Sequence, residues 1–163
     1  MATSKSELRL DGKVALITGA SRGIGAAIAL GLASTGANII VNHASSAEQA
    51  NSLVTDIQEM GVEAVAIKAD VSRVEEKPYF RAIQWNRSGG TKTNMFHENA
   101  WKYIPGGTKD TPPEVIEAET RKLTPLDHCG LPEDISNVVR FLVHPQAGWI
   151  NGQMVTISGG ATV

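Results

Sequence analysis

Residues 14–25 read V-A-L-I-T-G-A-S-R-G-I-G. The apolar run predicts a buried strand, the glycines predict a tight turn, and the alanine-rich stretch 26–33 predicts a helix. Strand, glycine-rich turn and helix in this order are typical of the first βαβ unit of a nucleotide-binding fold. We therefore expect the turn to bind a dinucleotide. The alternative is a tight turn whose glycines serve only packing.

Each glycine of this turn has its own predicted role. Gly19 allows the sharp turn, Gly23 allows backbone to approach a diphosphate, and Gly25 allows the helix to pack closely. The first N–H groups of the helix and the positive end of its dipole point at the same place. The candidate cofactor-binding residues of the turn are Gly19, Ser21, Arg22, Gly23, Ile24 and Gly25.

Composition narrows the class of protein. The chain has 163 residues, 42% hydrophobic and 20% charged, as expected of a single globular domain. Its net charge of −2 and scattered Lys and Arg argue against nucleic acid as a partner.

The single cysteine, Cys129, excludes an internal disulfide and is interpreted as structural. The histidines lack metal-ligand spacing, so no metal site is expected. Without a signal-peptide core or an apolar run of about 18 residues, we expect no membrane contact and a cytoplasmic location.

Hydrophobic periodicity divides the chain into two unequal parts. The predicted strands are 14–18, 39–41, 64–69 and 154–157, and the predicted helices are 23–35, 47–60, 94–103, 113–123 and 132–143. Right-handed crossovers put the first three strands in the order 3-2-1, half of a doubly wound parallel sheet. Residues 72–87 show no clean period.

Motifs from both ends resemble the short-chain dehydrogenase/reductase family. They are D-G-K-V-A-L-I-T-G-A-S-R-G-I-G at 11–25, A-D-V-S at 69–72, G-G-T-K-T-N-M-F at 89–96, G-L-P-E-D-I at 130–135 and W-I-N-G-Q at 149–153. The carboxyl-terminal half is most similar to fungal naphthol and versicolorin reductases of polyketide metabolism. The resemblance implies an NADP(H)-dependent reductase of a small aromatic ketone or polyketide.

The resemblance also shows a gap. The family places two more strands with their helices between residues 72 and 89, on the order of 70 residues or more. That section carries the catalytic Ser and the Tyr-x-x-x-Lys pair. Neither tyrosine of this chain replaces the pair, because Ile83 follows Tyr79 and Gly107 follows Tyr103 at the lysine spacing. We therefore assign no catalytic residue.

The fold class expected is α/β, a truncated Rossmann-type doubly wound sheet with strands 3-2-1 plus a carboxyl-terminal helix and strand. It forms a single domain, 1–163, with a dinucleotide-binding half at 1–71, an irregular junction at 72–87 and a carboxyl-terminal family segment at 88–163. Without a fourth strand, the edge of strand 14–18 is open. We predict that strand 154–157 pairs with it in parallel.

The end of the second strand bears on cofactor choice. Residues 42–46 read N-H-A-S-S and lack the carboxylate that would bond an NAD ribose. Arg22 can reach a 2′-phosphate, so NADP(H) is predicted, with Asn42 and Ser45 as further contacts. Alternatively, Ser45 or Ser46 only caps the following helix.

Four more contacts are implied by the family resemblance alone. Asp70 would bond the adenine amine, Val71 would supply a backbone N–H, and Thr91 and Thr93 would meet the nicotinamide end. The alternative for Asp70 is that it is a loop aspartate at the end of a strand. For Thr91 and Thr93, the alternative is a structural role without contact to a ligand.

Three interpretations of function stay open at this point. The first is an NADP(H) reductase of fungal secondary metabolism, impaired or inactive without its catalytic section. The second is a non-catalytic NADP-binding or interaction protein. It would form a homo-oligomer or pair with an intact paralogue through the carboxyl-terminal helix and strand. The third is a mis-spliced or decayed gene product.

Overall fold

The computed structural model describes residues 8–73, 86–88, 90–150 and 152–161. The strands are β1 (Val14–Ile17), β2 (Asn38–His43), β3 (Ala64–Lys68), β4 (Asn86–Ser88) and β5 (Val155–Ile157). The helices are α1 (Gly23–Ala33), α2 (Ala47–Glu59), α3 (Asn94–Asn99), α4 (Pro113–Lys122) and α5 (Pro132–Leu142). Short 3-10 turns lie at Ala100–Tyr103 and Pro145–Ala147.

The first three strands form the predicted sheet. Their order is β1-β2-β3 and both pairings are parallel, with Ile39 opposite Ala15 on one side and Ala64 on the other. Ile17, Ile39 and Val41 are buried on one face, where they pack with residues of α1 and α2. Because side chains alternate along a strand, the other face carries a second apolar set. On that face Val14 and Val65 are 64% and 50% exposed.

The carboxyl-terminal half adds a small second sheet. β4 and β5 pair in parallel, with Asn86 opposite Val155 and Ser88 opposite Ile157. The prediction that the last strand lies beside β1 is therefore wrong. Among the described strands, β1 pairs only with β2. The cause is β4, which satisfies the backbone groups of β5. The residues of β4, N-R-S, have low β-propensity, so the sequence did not predict this strand.

Helix α5 joins the two halves by packing on α1. Ser136 on α5 donates a hydrogen bond from its hydroxyl to the backbone oxygen of Ala27, at 2.8 Å. A Cβ on Gly31 would lie 2.1 Å from that hydroxyl oxygen, so only glycine permits this approach. None of the described helices has the length and apolar character needed to span a bilayer.

Candidate functional site

The glycine-rich turn between β1 and α1 has the geometry expected from its sequence. Gly19 and Gly23 have φ angles of +61° and +58°, a region that other residues rarely adopt. A Cβ on Gly25 would lie 2.5 Å from the Gly19 carbonyl oxygen and 2.8 Å from the Cα of Ala20. Gly25 therefore lets the start of α1 pack directly on the turn.

The amino end of α1 is available to an external anion. Arg22 is the N-cap residue, with an extended backbone at φ −163°, and its exposed side chain makes no capping hydrogen bond. The first turn contains no acidic residue that would occupy the positive end of the helix dipole. Because the first N–H groups of a helix have no acceptor within it, an anion near Gly23 would receive their hydrogen bonds.

Asn42 ties this turn to the end of β3. Its Oδ1 accepts a hydrogen bond from the N–H of Gly19 at 3.4 Å, and its backbone oxygen accepts one from Ala20 at 3.0 Å. Its Nδ2 donates to the carbonyl oxygens of Ala69 and Ile67, at 3.0 and 3.4 Å. The residue is 4% exposed. The amide that we predicted as a cofactor contact therefore braces the backbone of the site.

Residues 42–46, at the end of β2 and just beyond it, carry no carboxylate. Ser45 is exposed just beyond β2. Ser46 occupies the N-cap position of α2, yet its side chain makes no capping hydrogen bond there. His43 is buried, and its Nδ1 has no hydrogen-bond partner within the described residues. The capping alternative is thus not seen for Ser46.

Asp70 and Val71 lie in the turn that follows β3. The hydroxyl and the N–H of Ser72 both donate to Oδ1 of Asp70, at 2.7 and 3.0 Å. These bonds, that from the hydroxyl first, lower the pKa of the Asp70 carboxyl from its ordinary value. Asp70 therefore stays ionised at neutral pH and shapes the turn. The adenine contact itself stays a prediction.

The structure brings Thr93 to the glycine-rich turn. A Cβ on Gly23 would lie 3.5 Å from the methyl carbon of Thr93, which is an ordinary van der Waals contact. The Thr93 hydroxyl oxygen accepts a hydrogen bond from Phe96 N at 3.2 Å and so caps α3. Thr91 is 7% exposed and forms a parallel bridge with Gly130. Of the two threonines, Thr93 is the one that lies near the glycine-rich turn.

One ion pair beside the threonines was not indicated by any sequence pattern. Lys92 Nζ lies 2.5 Å from an Oε of Glu117 on α4, and both side chains are about one-third exposed, at 34% and 30%. Glu117 also accepts a hydrogen bond at its backbone oxygen from the Cys129 thiol. Burial raises the pKa of that thiol, in agreement with a structural role for Cys129.

The structure describes one of the two tyrosines. Tyr103 is 79% exposed on a 3-10 turn, and Tyr79 lies outside the described residues. No cluster of three or more His, Cys, Asp or Glu side chains in the described part could hold a metal ion. The feature that bears on ligand binding is the amino end of α1, which has no side-chain cap and no acidic residue in its first turn.

The sequence matches known proteins over most of its length. Hydroxynaphthalene reductase-like protein Arp2 of Metarhizium acridum is 29% identical over 263 aligned positions, which cover 98% of each chain. Short chain dehydrogenase/reductase nsrJ of Aspergillus novofumigatus is 30% identical over 256 positions, covering 94% of this chain and 97% of the relative. Both alignments are far longer than the 163 residues present, so a long section of each relative faces no residue of this chain.

Solved structures share the fold. A 7α-hydroxysteroid dehydrogenase in complex with NADH and 7-oxo glycochenodeoxycholic acid superposes with a TM-score of 0.76 at 22% identity, covering 96% of each chain. A short chain dehydrogenase from Burkholderia cenocepacia in complex with NADP superposes with a TM-score of 0.70 at 23% identity, covering 95% of this chain and all of that one. The family model described as short chain dehydrogenase matches residues 13–119, more than half of the sequence. With this match, the glycine-rich turn and the parallel sheet around it, the chain belongs to the short-chain dehydrogenase/reductase family.

Proposed function

We propose that this chain binds NADP(H) and does not reduce a carbonyl group by the family mechanism. The observation that carries the proposal is the uncapped amino end of α1, with Thr93 near Gly23. The diphosphate would accept hydrogen bonds from the first N–H groups of the helix. The nicotinamide riboside would extend toward Thr93, and the adenosine would extend toward Asp70 and Val71.

The preference for NADP(H) over NAD(H) rests on charge. The stretch 42–46 carries no carboxylate that would repel a 2′-phosphate. Arg22 presents an exposed guanidinium at the amino end of α1. A planar guanidinium forms bidentate hydrogen bonds with phosphate oxygens, which an NAD ribose does not offer. Ser45 adds an exposed hydroxyl on the same side.

Loss of reduction follows from the residues that the chain lacks. The resemblance assigns proton donation to a Tyr whose partner Lys lies four residues further on, and neither tyrosine has that partner. General acid catalysis contributes about 10²–10⁴-fold. The second candidate is residual reduction of a hydroxynaphthalene-like ketone in fungal polyketide metabolism. The name of the Metarhizium relative favours it.

We also propose self-association, or pairing with an intact relative, through α5 and β5. Trp149 and Met154, between these two elements, are 99% and 73% exposed. Large exposed apolar side chains close together in sequence are typical of contact surfaces. The absence of a disulfide-forming pair suits a reducing compartment, and we place the protein in the cytoplasm.

A thermal-shift measurement tests the binding proposal. NADPH at about 100 times its dissociation constant should stabilise the protein by about 2.7 kcal/mol, and NADH at the same concentration should stabilise it less. NADPH oxidation with a tetralone tests the two candidates against each other. Steady turnover would favour the reductase, and none is expected from the binding protein. If the protein is folded and neither cofactor changes its melting temperature, both candidate functions are excluded.

A further inference from the structure

The packing of α5 on α1 depends on one small pair of residues. Ser136 is 3% exposed, and its hydroxyl donates to the backbone oxygen of Ala27, at 2.8 Å. Ala27 lies in the second turn of α1, directly after the glycine-rich turn. Gly31, one helical turn further on, leaves the space that the Ser136 hydroxyl occupies. The hydrogen bond and the close approach at Gly31 therefore fix how α5 packs against α1.

The amino end of α5 is joined to the segment that contains both threonines. Gly130 donates from its N–H to the carbonyl oxygen of Gly90 at 3.0 Å, and its own oxygen accepts from Lys92 N at 2.8 Å. Leu131 N donates to a carboxylate oxygen of Asp134 at 2.8 Å, which fixes the entry into α5. A shift of α5 along α1 would therefore be transmitted to residues 90–92.

The segment that follows returns to the start of α1. Thr93 comes directly after Lys92 and lies near Gly23, the first residue of α1, since a Cβ built on that glycine would be 3.5 Å from the Thr93 methyl carbon. With this proximity, the ring of contacts runs from α1 through α5, Gly130 and residues 90–93 back to α1. Every residue of this ring lies outside the section of the relatives that has no counterpart in this chain.

We propose that Ser136 is a positioning residue for the nicotinamide side of the site. It touches no ligand, and it sets the distance between Thr93 and the glycine-rich turn through the ring of contacts. This inference rests on the proposed binding of NADP(H). Its consequence is selective. Replacing Ser136 should lower the affinity for ligands that reach Thr93. It should leave the affinity for ligands that occupy only the adenosine side unchanged.

Calorimetry with two ligands tests this selectivity. NADP⁺ spans the whole site, whereas 2′,5′-ADP lacks the distal phosphate and the nicotinamide riboside. Ser136→Ala removes the hydrogen bond and should weaken NADP⁺ about fivefold while changing 2′,5′-ADP affinity less than about twofold. Ser52→Ala, an exposed serine on α2, is the matched control and should change neither affinity.

Gly31→Ala provides a second perturbation and a rescue. Its new methyl group collides with the Ser136 hydroxyl and should weaken NADP⁺ about tenfold. The double variant Gly31→Ala/Ser136→Ala removes the colliding oxygen and should recover most of that loss. If Gly31→Ala does not fold, Ser136→Ala and the double variant decide the outcome.

The outcomes separate the inference from the proposal beneath it. A wild-type protein that binds neither ligand overturns the proposed function, and this inference with it. A wild-type protein that binds both, with variants that weaken both ligands equally or weaken neither, overturns the positioning role alone. Selective loss of NADP⁺ affinity, with rescue, supports it.

Discussion

At the scale of single residues, we expect the charge at the end of β2 to control cofactor choice. Ala44 is exposed and lies two residues beyond the buried Asn42. Ala44→Asp would put a carboxylate where a 2′-phosphate is expected to bind. We expect NADP⁺ affinity to fall at least tenfold, about 1.4 kcal/mol, and NAD⁺ affinity to rise.

Titration calorimetry of the Ala44→Asp variant with both cofactors measures this change. Ser34→Asp is the control, since it adds the same charge at the opposite end of α1 and should leave the NADP⁺ to NAD⁺ ratio unchanged. An unchanged ratio in Ala44→Asp itself would mean that the 2′-phosphate binds elsewhere.

Asn42 is the residue on which the shape of the site depends most. In Asn42→Asp, carboxylate oxygens replace the Nδ2 that donates to Ala69 and Ile67. Because the group is buried, the free energy of unfolding should fall by about 1–3 kcal/mol. Asn38→Asp, at the other end of β2, should cost less, since its bonds to Glu63 are exposed.

Urea denaturation of the Asn42→Asp and Asn38→Asp variants, read by circular dichroism, measures both costs. Equal losses in the two variants would contradict a special role for Asn42. A loss confined to Asn42→Asp is the expected result.

At the scale of elements, the turn after β3 should respond to acid. The pKa of Asp70 is lowered by its bonds from Ser72, so its contribution to stability is complete above its unfolded pKa of about 3.9. That contribution is lost as the pH falls below about 4, through the lowered folded pKa. Ser72→Ala should raise the Asp70 pKa toward its ordinary value. NMR titration of the carboxyl carbon tests this, and an unchanged midpoint would contradict it.

Local sequence patterns predicted most of the elements. The apolar periods located α1, α2, α4 and α5, because each segment buries one face, and the right-handed crossover rule predicted the order of the first three strands. The predicted helix 94–103 is divided into α3 and a 3-10 turn at Ala100–Tyr103. β4 was not predicted, because its polar residues show no strand pattern.

Contacts between residues far apart in sequence could not be predicted from these local patterns. The expected partner of β5 was wrong, because an open strand edge does not reveal which strand will fill it. The bracing role of Asn42 and the Ser136–Gly31 contact also depend on distances between residues far apart in sequence. Thr93 was named only through the order of family motifs, and its position near Gly23 comes from the fold.

At the scale of the whole molecule, the described residues include the glycine-rich turn and the parallel sheet β1-β2-β3 beside it. By our proposal, this part binds a dinucleotide. The apolar face of the sheet with Val14 and Val65 stays largely exposed. Exposed apolar patches of this kind favour association. We expect an apparent mass above 17.3 kDa in sedimentation at micromolar concentration. A monomer at every concentration would contradict that expectation.

The most direct test is isothermal titration of the folded wild-type protein with NADP⁺, with nicotinamide mononucleotide as the control ligand. We predict saturable heat with one NADP⁺ per chain and much weaker binding of the mononucleotide, which lacks the adenosine half and its 2′-phosphate. A compact protein that gives no heat with NADP⁺ or NADPH would contradict the central claim that the turn at residues 18–25 still binds a dinucleotide.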